Sequence, residues 1–82
     1  MNWFKVKLPN ALEWRLAESK FFIVKPRSQG LREKHGVPKG YNHVIYESGA
    51  SAVGTAAKRG YAKTLESAKA RAEKMMLSGQ IA

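Results

Sequence analysis

An α+β domain, with three or four antiparallel strands and one C-terminal helix packed on one face of the sheet, is the fold this sequence predicts. Three observations carry that expectation. Short runs rich in aromatic and β-branched residues follow one another, glycine and proline punctuate the chain between them, and one stripe at helical period closes it.

The first run, "NWFKVKL" (Asn2–Leu8), puts Phe4, Val6 and Leu8 on one side and Trp3, Lys5 and Lys7 on the other, which is the period of a strand. The next, "NALEWRLAES" (Asn10–Ser19), holds helix formers and an Asn-x-x-Glu box at Asn10 and Glu13. Yet Leu12, Trp14 and Leu16 also alternate with Glu13, Arg15 and Ala17, and so short a window does not separate the two periods. Strand is the preferred reading. "KFFIVK" (Lys20–Lys25) and "YNHVIYES" (Tyr41–Ser48) read as strands without that ambiguity. A further strand is expected within "ASAVGTAAKRGYAK" (Ala50–Lys63), where small residues leave its limits open.

The helix begins after Thr64, whose hydroxyl can accept from the free N–H groups of the first turn, and Glu66 suits the positive end of the helix dipole. Leu65, Ala68, Ala72, Met75 and Met76 make its apolar stripe, while Ser67, Arg71 and Lys74 fall on a separate face. Lys69 and Glu73 are placed to pair one turn apart, and Ser78-Gly79 offers a stop.

Between the strands lies "KPRSQGLREKHGVPKG", Lys25 to Gly40, with five of the fifteen Lys and Arg residues of the chain and one acid. It is expected to be a basic flexible loop at 25–40. Long structureless connections within a small domain are uncommon unless they bind something or are disordered.

A chain of 82 residues makes one domain, here spanning 1–82. At this size about 60% of the unfolded surface is buried on folding, so stability is marginal. No cysteine supplies a disulfide or a thiolate metal site, and dimerisation is the remaining route to extra burial. No run approaches the ~20 apolar residues of a membrane span, and Lys5, Lys7 and Pro9 interrupt any signal-peptide core. A soluble, cytoplasmic protein is expected.

Catalysis is disfavoured. His35 and His43 are the only histidines, the six glutamates are scattered among cations, and no nucleophile elbow or metal-ligand spacing occurs. His35 reads as a solvated loop residue and His43 as a residue on a sheet face. "GASAVGTA" (Gly49–Ala56) has the Gly-x-x-x-x-Gly spacing of a phosphate loop, but Thr55 stands where the lysine belongs and no helix start follows. Neither metal nor cofactor is expected.

The charge points to a partner instead. Fifteen Lys and Arg face six acids, a net charge of +9. Such an excess on a small body draws phosphates or acidic surfaces. The candidate nucleic-acid contacts fall in groups: Lys25, Arg27, Arg32, Lys34 and Lys39 from the loop, Lys58, Arg59 and Lys63 before the helix, and Arg71 and Lys74 on it. Trp3, Phe22, Tyr41 and Tyr61 are the rings closest in sequence to these cations, and Trp3 and Tyr41 are the candidates to stack on exposed bases.

"KFFIVK", "YNHVIYES" and "GYAKTLESAKARAE" follow the β-β-β-α order of many small phage and mobile-element proteins, which this chain resembles over roughly residues 14–77. The layout is similar to the N-terminal DNA-binding domains of tyrosine recombinases and to the plant ethylene-response-factor domain. That resemblance implies a bare sheet face entering the major groove. "SAKARAEKMML" (Ser67–Leu77) also resembles the closing helix of double-stranded-RNA-binding domains. There, however, Leu65 and Glu66 occupy the places of the phosphate-contacting lysines.

The expected function is therefore non-enzymatic nucleic-acid binding, DNA ahead of RNA. The alternative is a small phage-like protein that modulates a host protein through an acidic surface, with Trp3, Trp14 or Tyr46 as anchors. Both readings require the cations of Lys25–Gly40 to meet those flanking Thr64 in space.

Overall fold

Two strands with apolar residues on both faces organise the molecule. The computed structural model describes residues 2–49 and 56–81, in the order β1 (Trp3–Leu8), β2 (Ala11–Leu16), β3 (Phe21–Pro26), α1 (Gln29–His35), β4 (His43–Glu47), β5 (Ala57–Ala62) and α2 (Leu65–Ile81). Every strand pairs antiparallel with its sequence neighbours in one open sheet, β1-β2-β3-β4-β5. The sheet thus has five strands rather than three or four, and two helices rather than one.

The ambiguous second segment is a strand. A two-residue turn at Pro9-Asn10 brings Ala11 opposite Leu8, so the period-two pattern wins and the Asn10–Glu13 box caps no helix. "FFIV" and "HVIY" read as unbroken runs because β3 and β4 are central. Ile23 and Ile45 point to one layer, Val24 and Val44 to the other, and Ile23, Val44 and Ile45 are wholly buried.

α2 covers the first of these faces, packing on β3, β4 and β5. Ala68 and Ala72 have no exposed surface, since only a small side chain lets the helix axis approach the sheet so closely. Trp14, Phe21, Ile23, Ile45 and Ala62 complete this core, flanked by Leu12, Leu65, Met75 and Met76. Thr64 caps α2 as expected, its Oγ1 accepting the Ser67 N–H at 3.1 Å. The helix does not stop at Ser78-Gly79 but runs on to Ile81. Glycine permits the left-handed stop without imposing it, and costs only about 1 kcal/mol inside a helix. Nor do Lys69 and Glu73 pair: Glu73 accepts the indole N–H of Trp3 at 2.8 Å, and Lys69 lies over that ring.

The expected loop is the larger correction. Lys25 and Pro26 end β3, and Gln29–His35 form α1, which packs on β3 from the face opposite α2. Ser28 Oγ accepts the Leu31 N–H at 3.2 Å, and Gly36 turns left-handed at φ 67°. The N–H groups of Gly36 and Val37 then return to the Glu33 and Arg32 carbonyls, closing a Schellman cap. The phosphate-loop-like stretch falls mostly on residues 50–55, outside the described residues. Among the described residues no helix is long and apolar enough to cross a membrane.

Candidate nucleic-acid interface

Short polar contacts, rather than a core of its own, hold α1 in place, and they recruit the cations. None of its residues is buried. Its His35 shares a 2.5 Å hydrogen bond between Nδ1 and the Tyr46 hydroxyl, and Tyr46 in turn stacks on Phe22 at 5.2 Å. Burial, then the charges of Lys58 and Lys34, push the His35 pKa down from its ordinary value. His35 is therefore a half-buried strut, not a solvated loop residue.

Three chain segments meet where α1 ends. Lys58 Nζ donates to the His35 carbonyl, a favourable place for a cation at a helix C-terminus. The same ammonium lies 5.4 Å from the Tyr61 ring centre. Arg32 Nη2 donates to the Tyr41 carbonyl at 2.9 Å, while Lys63 lies 5.7 Å over the Tyr41 ring. The two tyrosine rings are 6.2 Å apart. Gly36 is part of the junction, because a Cβ there would come within 3.1 Å of Lys58 Nζ. Lys39 lines a shallow hollow of about 320 Å³ with Arg32 and Gln29, and Lys34 is exposed on α1. Arg71 reaches the Tyr61 carbonyl from α2. Arg32 of the 25–40 segment thus meets Lys58 and Lys63, from before Thr64, around Tyr41 and Tyr61, while the rest of the two groups does not join them there.

Little negative charge is present to offset them. Of fifteen Lys and Arg side chains, only Arg15 and Arg59 meet a carboxylate among the described residues. Glu33, the acid nearest the cluster in sequence, accepts from the Gln29 side chain instead.

Other candidates lie elsewhere. Lys25 is on the α2 face of β3, opposite Leu12 and near His43, where its charge adds to burial in lowering the His43 pKa. Arg27 is tied by its N–H to the Asn10 carbonyl near the β1–β2 turn. Arg59 is the extra residue of a bulge in the β4–β5 ladder and is held 2.7 Å from Glu47, so its charge is neutralised. Lys74 sits beyond it, lining a separate hollow of about 720 Å³ with Glu18, Glu47 and Met75. Trp3 on β1 is committed to Glu73 of α2. Trp14 is core, and Tyr46 is bound to Phe22 and His35, so neither serves as a surface anchor.

The bare sheet face implied by the groove-binding resemblances is not found among the described residues, because α1 covers part of the face opposite α2. The cations of that face, Arg15 and Lys58, are separated by that helix and by Phe22 and Tyr46. Opposite α2 the sheet presents Phe4, Val6 and Leu8, then α1. Tyr61 stands out in the sequence only as a ring near cations, and not as a site residue. Tyr61 pairs with Val44 and so lies on the α1 side, and the bulge at Arg59 brings Lys58, three residues away, to that same side. The chain matches no protein-family model, no curated protein and no solved structure.

Proposed function

We propose that this protein is a non-enzymatic nucleic-acid-binding module, with DNA as the first candidate ligand. Its contact surface is the junction of α1, the Gly36–Tyr41 turn and the β5–α2 corner. One observation carries the reading: Arg32, Lys58 and Lys63 gather around Tyr41 and Tyr61, and none of them meets a carboxylate among the described residues. Ammonium groups resting on backbone carbonyls and ring faces are held in position but not neutralised. A phosphate oxygen offers each a stronger, charge-assisted bond, and a departing lysine uncovers a ring on which a base can stack.

Titration of short labelled duplex DNA, single-stranded DNA and RNA across a salt series tests this. Affinity should fall linearly with salt on logarithmic axes, with a slope set by the number of phosphates neutralised. Absence of binding at low salt, or a flat response, refutes it.

A further inference from the structure

We propose that the open edge of β1 is a docking site for an extended partner segment in which acidic side chains alternate with apolar ones, added to the sheet as a sixth strand. The site lies at the sheet edge opposite β5 and does not depend on the nucleic-acid reading.

The backbone supplies the first half of the recognition. The Asn2 carbonyl accepts the Ala17 N–H at 2.8 Å, which puts this pair at a hydrogen-bonded position of the ladder. Antiparallel alternation then turns the N–H and C=O groups of Phe4, Val6 and Leu8 toward β2 and those of Trp3, Lys5 and Lys7 outward. Among the described residues the outward groups form a regular row of unpaired donors and acceptors, the template for strand addition. The other edge, β5, is broken by its bulge at Arg59 and offers no such row.

The side chains supply the second half. On the face opposite α2, Phe4, Val6 and Leu8 are 58%, 36% and 43% exposed, a stripe of large apolar residues that none of the described residues covers. Arg15 and Glu13, paired with each other, stand beside it on β2, and Leu8 continues the apolar surface into a hollow of about 520 Å³ under α1. On the other face of the same strand, Lys5 and Lys7 are exposed and meet no carboxylate among the described residues.

Charge decides the occupant. Residues directly opposite in an antiparallel pair share a face. A second copy paired about Val6 would set Lys5 against Lys7 twice, and one paired about Lys5 or Lys7 would set that lysine against itself. Self-pairing is repelled in these three registers, which include the two of greatest overlap along Trp3–Leu8, whereas a strand with acids at alternate positions meets both lysines with opposite charge and the stripe with apolar side chains.

The test uses the full chain and a seven-residue blocked peptide alternating glutamate with valine, read by amide hydrogen exchange and titration. Binding should protect the Trp3, Lys5 and Lys7 amides, which face outward, and leave those of Phe4, Val6 and Leu8 nearly unchanged. The charge reversal K5E/K7E should weaken binding about tenfold, and a peptide carrying lysine in place of glutamate should restore it. Several results would overturn the proposal. They are no binding at about 1 mM peptide, equal binding of the acidic and basic peptides, or binding that leaves the outward amides unprotected. Protection that grows with protein concentration alone would overturn it by assigning the edge to a second copy. Protection of the same amides by duplex DNA would overturn it by assigning the lysines to phosphate.

Discussion

His43 is the residue whose chemistry departs furthest from its sequence context. It is 4% exposed, its ring 5.9 Å from that of Trp14, and its Nδ1 has no hydrogen-bond partner among the described residues. Burial first, and the nearby Lys25 charge second, lower its pKa, against a smaller raising effect from a backbone hydrogen bond with Ala62. Below its ordinary value near 6.5 the unfolded chain takes up a proton that the folded protein refuses. The stabilisation is complete above that pH and is lost as pH falls through the lower folded value. His35, also lowered, adds to the same trend. The melting temperature should therefore drop between neutral and mildly acid pH, by at most about 1.4 kcal/mol of stability per pH unit for each histidine. In His43→Leu the drop should be shallower; an unchanged pH profile of thermal melts would exonerate His43. The residue is legible in the sequence as a sheet-facing histidine. Its burial is not, because that depends on α2 closing over β4.

At the scale of elements, α1 is the informative case. Seven residues are too few for a helix to persist alone in water. Its caps and its contacts with Tyr46, Lys58 and Tyr41 therefore stabilise it. Ser28→Ala removes one N-terminal acceptor and should cost about 1 kcal/mol. Exchange of the Leu31 and Arg32 amides should quicken, and nucleic-acid affinity should fall because Arg32 loses its support. If these amides are unaffected, the cap does not hold the helix. Both cap residues are visible in the sequence: Ser28 stands three residues before Leu31, and Gly36 follows a run of helix formers. The glycine, proline and charge content of the whole stretch outweighs them, yet it describes composition and not local geometry. The start of α2 is legible because Thr64, Glu66 and the alanine stripe agree, whereas the expected end rests on Gly79 alone.

For the whole molecule, the distribution of charge matters more than its sum. A net +9 would be the same with every cation dispersed. The fold instead gathers Arg32, Lys58 and Lys63 at one corner, ties Arg59 to Glu47, and leaves Lys5 and Lys7 on a distant edge. Replacing Lys58 and Lys63 by alanine should reduce the slope of log affinity against log salt by about one for each phosphate no longer neutralised. Replacing Arg59 and Lys74 should leave it nearly unchanged. Equal effects from both pairs would mean that binding is diffuse and the corner is not a site. The sequence by itself determined the charge, the strand-rich α+β class, the start of the final helix and the identity of its buried stripe. Each of these follows from composition or from a repeat within one segment. Which cations meet, which aromatics are spent in the core and which strand edge stays open were decided only by tertiary structure. Those outcomes depend on register, on one bulge and on which neighbour covers each face, and residues far apart in the chain set them jointly.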